Sequence, residues 1–204
     1  MNIKKIILDF LDTNCYFVES GALSFLIDPG SDFKKIKNYL NDNDKKPHFI
    51  LNTHAHFDHI GAVNELIDYY KIPFYIHEND EEVLLNSDKN MSSFFQKNKL
   101  LFNAYNLILG EKVIDFYNAG IDIYNLPGHT PGSIIIKISD VLFTGDILFK
   151  GSVGRTDLPC GNSKKMKESI EKIKEMDDKL RIMPGHGPDS VLSYEFLNNI
   201  FLLD

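Results

Sequence analysis

The amino-acid sequence predicts a layered α/β sandwich, in which two β-sheets are covered by helices. Both halves of the chain contain short apolar runs of strand type followed by amphipathic helical patterns, and this grouping is typical of sheets packed under helices. The 204 residues, 43% of them hydrophobic, are enough for one sizeable core. No linker rich in Pro, Gly or Ser interrupts the sequence, so we expect one domain over residues 1–204.

The first half begins with closely spaced strands. Apolar runs separated by turn residues predict strands over residues 4–10, 15–19 and 23–28, and such short separations favour antiparallel pairing. The pattern then predicts, in order, a helix over 33–40, a strand over 49–52, a helix over 62–70, a strand over 73–77 and a helix to Leu85 capped by Asn79 or Asp80. Residues 87–106 are polar with scattered aromatics, which fits a wall of a substrate site and a plain surface connection equally well.

The second half repeats strands followed by helices. The patterns predict strands over 113–116, 121–125, 133–138, 141–143 and 180–183, a helix capped near Asn162 or Ser163 that contains Met166 to Ile173, and a last helix over 191–201.

Composition excludes several classes of function. The formal net charge of −7 and pI of about 5.5 give no overall attraction for nucleic-acid phosphates or anionic lipid, and we expect neither partner. Because the sequence has no signal-peptide pattern and no long apolar stretch, we expect a cytoplasmic protein. Cys15 and Cys160 form no paired motif, which fits reduced thiols. The oligomeric state stays open.

The strongest chemical signal is a cluster of histidines in residues 52–61. His54, His56 and His59 lie within six positions of a chain that has seven histidines, and Asp58 lies among them. Imidazole and carboxylate are ligands that zinc and similar metals accept. Their spacing does not fit one helical face, so we expect an irregular loop between the strand at 49–52 and the following helix.

Three further candidate ligands each follow a predicted strand and lie beside glycine. They are His129 in Pro-Gly-His, Asp146 in Thr-Gly-Asp and His186 in Pro-Gly-His-Gly-Pro. Loops of this kind can converge at one edge of a sheet. Taken singly, Asp146 could cap a turn and either histidine could be a hydrogen-bonded loop residue. Together the set contains five histidines and two aspartates, more than one tetrahedral ion uses, and it predicts two metal ions. His48 and His77 have no such cluster and are expected to be structural.

The segment His54-Ala-His-Phe-Asp-His59 resembles the His-x-His-x-Asp-His signature of the metallo-β-lactamase fold superfamily. This resemblance implies a four-layer αββα sandwich. It also implies that His54, His56 and His129 hold one metal, that Asp58, His59 and His186 hold the other, and that Asp146 bridges them. Cys160 does not fall at a ligand position, which disfavours a cysteine-ligated site of the antibiotic-hydrolysing type.

Asn14-Cys-Tyr16 and residues 145–157 resemble the short bacterial form of the glyoxalase II branch. That resemblance implies hydrolysis of hydroxyacylglutathione-type thioesters. Longer members carry a C-terminal helical domain that binds glutathione, and we expect no such domain in this chain. Two alternatives stay open: a persulfide dioxygenase with one iron held by His54, His129 and Asp146, and a metal-dependent binding or scaffold protein without turnover.

The expected chemistry follows from two cations sharing one water. Such a pair, for which we expect zinc with iron or manganese as alternatives, lowers the pKa of the water and supplies a bridging hydroxide as nucleophile. Asp58 is the predicted catalytic residue, as ligand and proton acceptor. Arg155 or Lys150 could contact a substrate carboxylate, although an ion pair between Arg155 and Asp157 is an equal alternative.

Overall fold

The computed structural model describes residues 1–95, 102, 104–110, 114–116 and 120–203, without the side chains of residues 114 and 115. Residue 113 of a predicted strand, and residues 96–101 and 103 of the predicted polar segment, lie outside the described residues.

The first sheet contains the strands of the N-terminal half. Its order is β1 (Asn2–Ile7), β2 (Asn14–Ser20), β3 (Leu23–Ile27), β4 (Phe49–Leu51), β5 (Phe74–His77) and β6 (Asn106–Ile108). The first three strands pair antiparallel, as predicted from their short separations. The next pairs are parallel, because helices intervene and return the chain to the same end of the sheet.

Helices of the first half cover the outer face of this sheet. They are α1 (Phe33–Asp42), α2 (Phe57–Ile60), α3 (Val63–Tyr70), α4 (Glu81–Leu85) and α5 (Ser92–Phe95), with a 3-10 turn over Glu78–Asp80. Ile36 and Leu40 of α1 and Leu66 of α3 pack with Leu26 and Ile50 of the sheet. This apolar stripe is the helical periodicity that predicted α1 and α3.

The second sheet and its helices come from the rest of the chain. Its strands are β7 (Ile114–Phe116), β8 (Ile121–Asn125), β9 (Ile134–Ile138), β10 (Val141–Gly145), β13 (Arg181–Pro184) and β14 (Ser190–Val191), while β11 (Leu148–Phe149) and β12 (Ser152–Val153) form a separate hairpin. The helices are α6 (Ser163–Lys174), where Asn162 caps the N-terminus, and α7 (Leu192–Asn198). Met166, Ile170 and Leu192 pack on Ile182 and Leu142 of the sheet.

The two sheets face each other across a third apolar layer. Tyr16, Phe25 and Phe49 of the first sheet pack with Ile136 and Phe143 of the second. The layers therefore follow the order helices, sheet, sheet and helices, with an apolar cluster between each neighbouring pair. This confirms the predicted αββα sandwich. No helix among the described residues is long and apolar enough to span a membrane.

Strand direction brings the candidate ligands to one edge. β10 is parallel to β13 and antiparallel to β9, and β9 is antiparallel to β8. The chain therefore leaves β8, β10 and β13 at the same edge of the second sheet. Backbone bonds from Ile134 N to Thr53 O (2.9 Å) and from Asn14 N to Gly185 O (2.7 Å) join this edge to the first sheet.

Three local predictions are corrected by the structure. Asp58 and His59 lie on the helical turn α2 rather than in an irregular loop. Asp80 precedes α4 but makes no side-chain cap, because its carboxylate bonds elsewhere. The last helix ends at Asn198, whereas the apolar pattern predicted an end at Phe201, since Ile200 and Phe201 are exposed beyond it.

Candidate metal centre

All seven predicted ligand side chains meet at this edge. Three groups each place one possible ligand atom per residue within 4.8 Å of one another. The groups are His54, His56 and His129; His54, His59 and Asp146; and Asp58, His59 and His186. Two of the groups are the sets implied by the sequence resemblance, and the third connects them.

Asp146 lies between the two sets. One carboxylate oxygen, Oδ1, is 3.4 Å from Nε2 of His59, and the other, Oδ2, is 3.6 Å from Nε2 of both His129 and His186. Asp58 Oδ2 is 3.1 Å from Nε2 of His186 and 3.4 Å from that of His59. A carboxylate placed between two imidazole groups has the geometry of a shared ligand.

The outer ring nitrogens, Nδ1, of three imidazoles lie within hydrogen-bond distance of oxygen atoms. His129 Nδ1 donates to the Arg155 carbonyl at 2.8 Å, and His186 Nδ1 donates to the Leu11 carbonyl at 3.0 Å. Because a carbonyl only accepts, each Nδ1 carries a proton, and in the neutral form of either ring Nε2 keeps its lone pair. The lone pairs of both rings are therefore available inside the cluster.

Asp28 fixes two more rings and was not among the predicted site residues. Its carboxylate accepts from Thr53 N at 2.8 Å and Thr53 Oγ1 at 2.6 Å, and it lies 3.0 Å from Nδ1 of His59. Since the Thr53 hydroxyl donates to Asp28, its oxygen is the acceptor for Nδ1 of His54 at 3.1 Å. In the neutral form of His54, Nε2 therefore keeps its lone pair, while the Asp28 carboxylate places a negative charge beside the ring of His59. Asp28 follows β3 directly, so the strand-end pattern that located Asp146 could have located it.

Asp80 is a second buried carboxylate that sequence reasoning assigned to another role. Its oxygens accept from Ala55 N at 2.8 Å, Thr130 Oγ1 at 2.8 Å and Gly132 N at 2.6 Å. These bonds join the loop of His54 and His56 to the loop of His129. Burial raises the pKa of Asp80 to about 6, although its three hydrogen bonds oppose the shift.

The Asn14-Cys-Tyr16 segment contacts the turn that carries His186. Asn14 Nδ2 donates to the carbonyls of Pro184 and Gly187, both at 2.9 Å, and Tyr16 Oη donates to Pro184 at 2.7 Å. These contacts hold the turn that carries His186. The Asn14-Cys-Tyr16 segment therefore supports the metal centre in this structure.

Glycine is required where the backbone approaches the ligands. A Cβ at Gly154 would lie 1.7 Å from the Asp146 carbonyl oxygen, and one at Gly185 would lie 2.3 Å from Oδ1 of Asp146. Gly145 has φ +48°, and a Cβ there would lie 2.3 Å from Oγ1 of Thr53. Any larger residue at these positions would displace the ligand loops.

The chemistry of these donors fits metal ions. Nε2 of His54 and Oδ1 of Asp146 are buried and make no hydrogen bond, which is costly for polar atoms unless another partner binds them. Nε2 of His59 and Nε2 of His186 are 3.3 Å apart. Two lone pairs at this distance would repel each other, so a proton or a cation is needed between the two nitrogens. The arrangement fits divalent cations bound by nitrogen and oxygen.

The two ligand sets differ in the direction in which the pKa values of their histidines are shifted. Burial, followed by neighbouring imidazoles, lowers the pKa of His54 well below its usual value and that of His56 to about 3. Burial also acts to lower the pKa of His59, but Asp58, Asp146 and Asp28 outweigh it and raise that pKa. Neutral imidazoles therefore dominate the first set, whereas carboxylates dominate the second, and the second attracts positive charge more strongly.

The metal centre opens into a cavity of about 410 Å³. Arg155 lines it, but its guanidinium bonds both carboxylate oxygens of Asp157 at 2.8 Å, as the ion-pair alternative expected. Lys150 does not line this cavity, and its ammonium lies 5.3 Å from the ring centroid of Tyr194. Contact of either cation with substrate stays a prediction. His48 and His77 bond locally to Ser24 and Gly110, outside the centre.

Comparison of the sequence with known families gives one match over most of its length. The profile described as Metallo-beta-lactamase superfamily matches residues 8–186. A probable metallo-hydrolase, YqgX of Bacillus subtilis, is 35% identical over 94% of this chain and 93% of its own. Hydroxyacylglutathione hydrolase GloC of Haemophilus influenzae is 30% identical over 99% of this chain and 98% of its own.

Two solved structures share both fold and sequence similarity with this chain. BLEG-1, described as a B3 metallo-beta-lactamase, superposes with a TM-score of 0.90 at 33% identity over the whole of both chains. TTHA1623, solved in a di-iron-bound form, has a TM-score of 0.89 at 32% identity over 98% of this chain and all of its own. One of these structures is described by an activity and the other by a bound di-iron centre, and a shared backbone by itself fixes neither substrate nor metal.

Proposed function

The chain belongs to the metallo-beta-lactamase superfamily, and from that premise we propose that it is a hydrolase of small thioesters of the hydroxyacylglutathione type. Metallo-hydrolase chemistry is the part that the family supports directly. The observation that carries the proposal is the convergence of seven buried or half-buried nitrogen and oxygen ligands beside one cavity.

We propose two divalent metal ions at this centre. His54, His56 and His129 would hold one ion, Asp58, His59 and His186 would hold the other, and Asp146 would contribute to both. When bound, such ions acidify water and polarise a carbonyl group, so that hydrolysis needs no serine or cysteine nucleophile. We propose zinc, with iron or manganese as alternatives; a di-iron form is described for TTHA1623.

The surrounding residues organise the reaction. Hydrolysis of a thioester joins a water oxygen to the acyl carbon and breaks the carbon–sulfur bond, so a proton must leave the water and the thiolate must gain one. Asp58 lines the cavity. Burial acts to raise its pKa, but His59 and His186 beside it outweigh burial and lower that pKa. Its carboxylate is therefore an acceptor that stays ionised at neutral pH, and we propose it as the catalytic proton carrier.

Similarity favours a thioester over other substrates. GloC is named as a hydroxyacylglutathione hydrolase and matches this chain over nearly the full length of both. Residues 145–157, which carry Asp146 and Arg155, resemble the same branch. The similarity to BLEG-1 makes a β-lactam the rival substrate. A single-iron persulfide dioxygenase would leave Asp58, His59 and His186 without a metal.

The test combines a metal count with a substrate panel. Full-length protein made without chelator should contain two metal ions per chain and should hydrolyse S-lactoylglutathione, with thiol release followed by absorbance. A cephalosporin and glutathione persulfide serve as rival substrates. The His54→Ala variant should lose thioesterase activity. A rate for the unsubstituted protein equal to that of His54→Ala would contradict the proposal, and one iron with sulfite formation would replace it.

A further inference from the structure

Much of the lining of the cavity beside the metal centre is apolar. Leu11, Phe57, Met91 and Phe95 line it together, and these four residues are called the aromatic wall below. Leu11 and Phe95 are about half exposed, at 54% and 53%, whereas Phe57 is buried at 3%. An exposed leucine and phenylalanine at the mouth of a cavity leave apolar surface in contact with water.

The rings of the wall have the geometry of an aromatic cluster. The rings of Phe57 and Phe95 stack with centroids 4.8 Å apart, and Phe10 meets Phe57 edge to face at 4.9 Å and Phe95 at 5.9 Å. Stacked and edge-to-face contacts of this kind are the arrangements that aromatic rings prefer. The half-exposed Phe95 can therefore accept a further ring from the cavity side.

The wall borders both ligand sets of the metal centre. Phe57 is flanked in sequence by His56 of the first set and Asp58 of the second, and the Leu11 carbonyl accepts the hydrogen bond of His186. Arg155 lies beside the first set, where its carbonyl accepts from His129. A group reacting at the centre therefore has both the apolar wall and the residue Arg155 beside it.

Few other polar groups line the cavity. Apart from the predicted metal ligands, the polar lining residues of the described chain are Ser152 and Arg155. The thiol part of the substrate carries carboxylates, and Arg155 is the residue best suited to bind them. The acyl group would then lie towards the aromatic wall. A lactoyl group has only a methyl substituent and would cover little of that wall.

We propose that this site selects 2-hydroxyacyl thioesters whose acyl group carries an aromatic ring. The inference rests on the proposed thioesterase function and names its acyl specificity. The preferred substrate class is therefore mandeloyl-like rather than lactoyl-like, because a phenyl ring removes the surface of Phe95 and Leu11 from water and packs on the stacked rings.

The experiment compares two thioesters that share the hydroxyl group and the glutathione arm. For metal-loaded full-length protein, kcat/KM for S-mandeloylglutathione should exceed that for S-lactoylglutathione about tenfold or more, after each is divided by its hydroxide-catalysed rate; this magnitude is typical of added apolar contact in a pocket. The Phe95→Ala variant should reduce this ratio about fivefold or more.

Phe94→Ala is the matched control. Phe94 is the same residue type on the same short helix, is 68% exposed and does not line the cavity, so its removal should leave the ratio within about twofold, as for most surface substitutions. Equal or faster turnover of the lactoyl thioester, or a ratio unchanged by Phe95→Ala, would overturn the inference while leaving the thioesterase function in place. Hydrolysis of neither thioester would overturn both.

Discussion

The Asp28 carboxylate lies 3.0 Å from Nδ1 of His59 while both of its oxygens accept hydrogen bonds from Thr53. Both residues are buried, at 1% and 0% exposure. Asp28 thus joins the end of β3 to the loop after β4 and sets which nitrogen of His59 faces the cluster.

Asp28→Asn should weaken metal binding at the second set. The amide keeps the shape of the side chain but brings a donor towards Thr53 and removes the negative charge beside Nδ1 of His59. Loss of such support should lower the metal affinity about 30-fold. Competition with a chelating indicator measures this affinity. Asp32→Asn, a carboxylate near the same turn that supports no ligand ring, is the comparison, and equal affinity in both variants would contradict the role of Asp28.

Asp146→Ala should lose one or both metals and nearly all hydrolytic activity. The side chain is within 3.6 Å of imidazole nitrogens of both sets, so its removal deprives each set of a carboxylate. Elemental analysis of the purified variant gives the occupancy. Glu168→Ala removes an exposed carboxylate on α6 and should retain both ions. Full occupancy in Asp146→Ala would exclude the shared-ligand role.

Asp80 should make stability fall as pH rises. Burial raises the pKa of Asp80 from 3.8 to about 6, so between these values the unfolded chain releases a proton that the folded protein retains. The stability that Asp80 contributes is therefore fully present below about pH 4 and is lost as the pH rises to about 6. For a pKa shift of this size, the free energy of unfolding should fall by about 3 kcal/mol over this range.

Urea unfolding of the metal-free protein between pH 4 and pH 7 checks this prediction against Asp80→Asn, which cannot titrate. The unfolding free energy of the unsubstituted protein minus that of the variant should decrease with rising pH. An amide also places a donor against Ala55, Thr130 or Gly132, so at pH 4 the variant should be less stable by about 1–3 kcal/mol. A difference that increases with pH would show the opposite shift.

Gly132→Ala should destabilise the protein and disturb the loop of His129. A Cβ there would lie 2.5 Å from the Asp80 nitrogen and 2.6 Å from its Cβ, and such overpacking costs about 1–3 kcal/mol. Gly21→Ala, where a Cβ meets nothing within 4 Å at φ +59°, isolates the backbone strain of about 1 kcal/mol. Thermal unfolding should give a lower melting temperature for Gly132→Ala than for Gly21→Ala. Only Gly132→Ala should also have a reduced metal content.

Arg155→Ala should raise KM for a glutathione thioester severalfold and change kcat little. Its guanidinium borders the cavity and its bidentate pair with Asp157 is exposed, so a substrate carboxylate can compete for it. His129 should stay in place, because its bond is to the backbone carbonyl of Arg155. Steady-state kinetics of Arg155→Ala and Lys150→Ala decides between the two predicted cations; a lower kcat with unchanged KM would exclude binding by Arg155.

The ligand set could be read from the sequence because metal chemistry restricts residue types and spacing. His54, His56, Asp58 and His59 stand close enough together to be recognised by themselves, and His129, Asp146 and His186 follow strands beside glycine. The helical periods of α1 and α3 and the three opening strands were equally accessible, because each depends on local alternation of apolar residues.

The supporting contacts could not be read in the same way. Asp28 and Asp80 reach Thr53, Ala55 and Gly132 across 25 to 52 positions of the chain. The position of Asp28 after a strand marks it as a candidate, but no local pattern shows which distant groups either carboxylate contacts. The aromatic wall likewise combines Leu11 with Phe57 and Phe95 from separate elements. By itself the sequence determined which side chains can bind metal and the order of strands and helices. Only the tertiary structure decided which nitrogen each ring presents and which surface a substrate meets, because both depend on long-range packing that brings distant residues together.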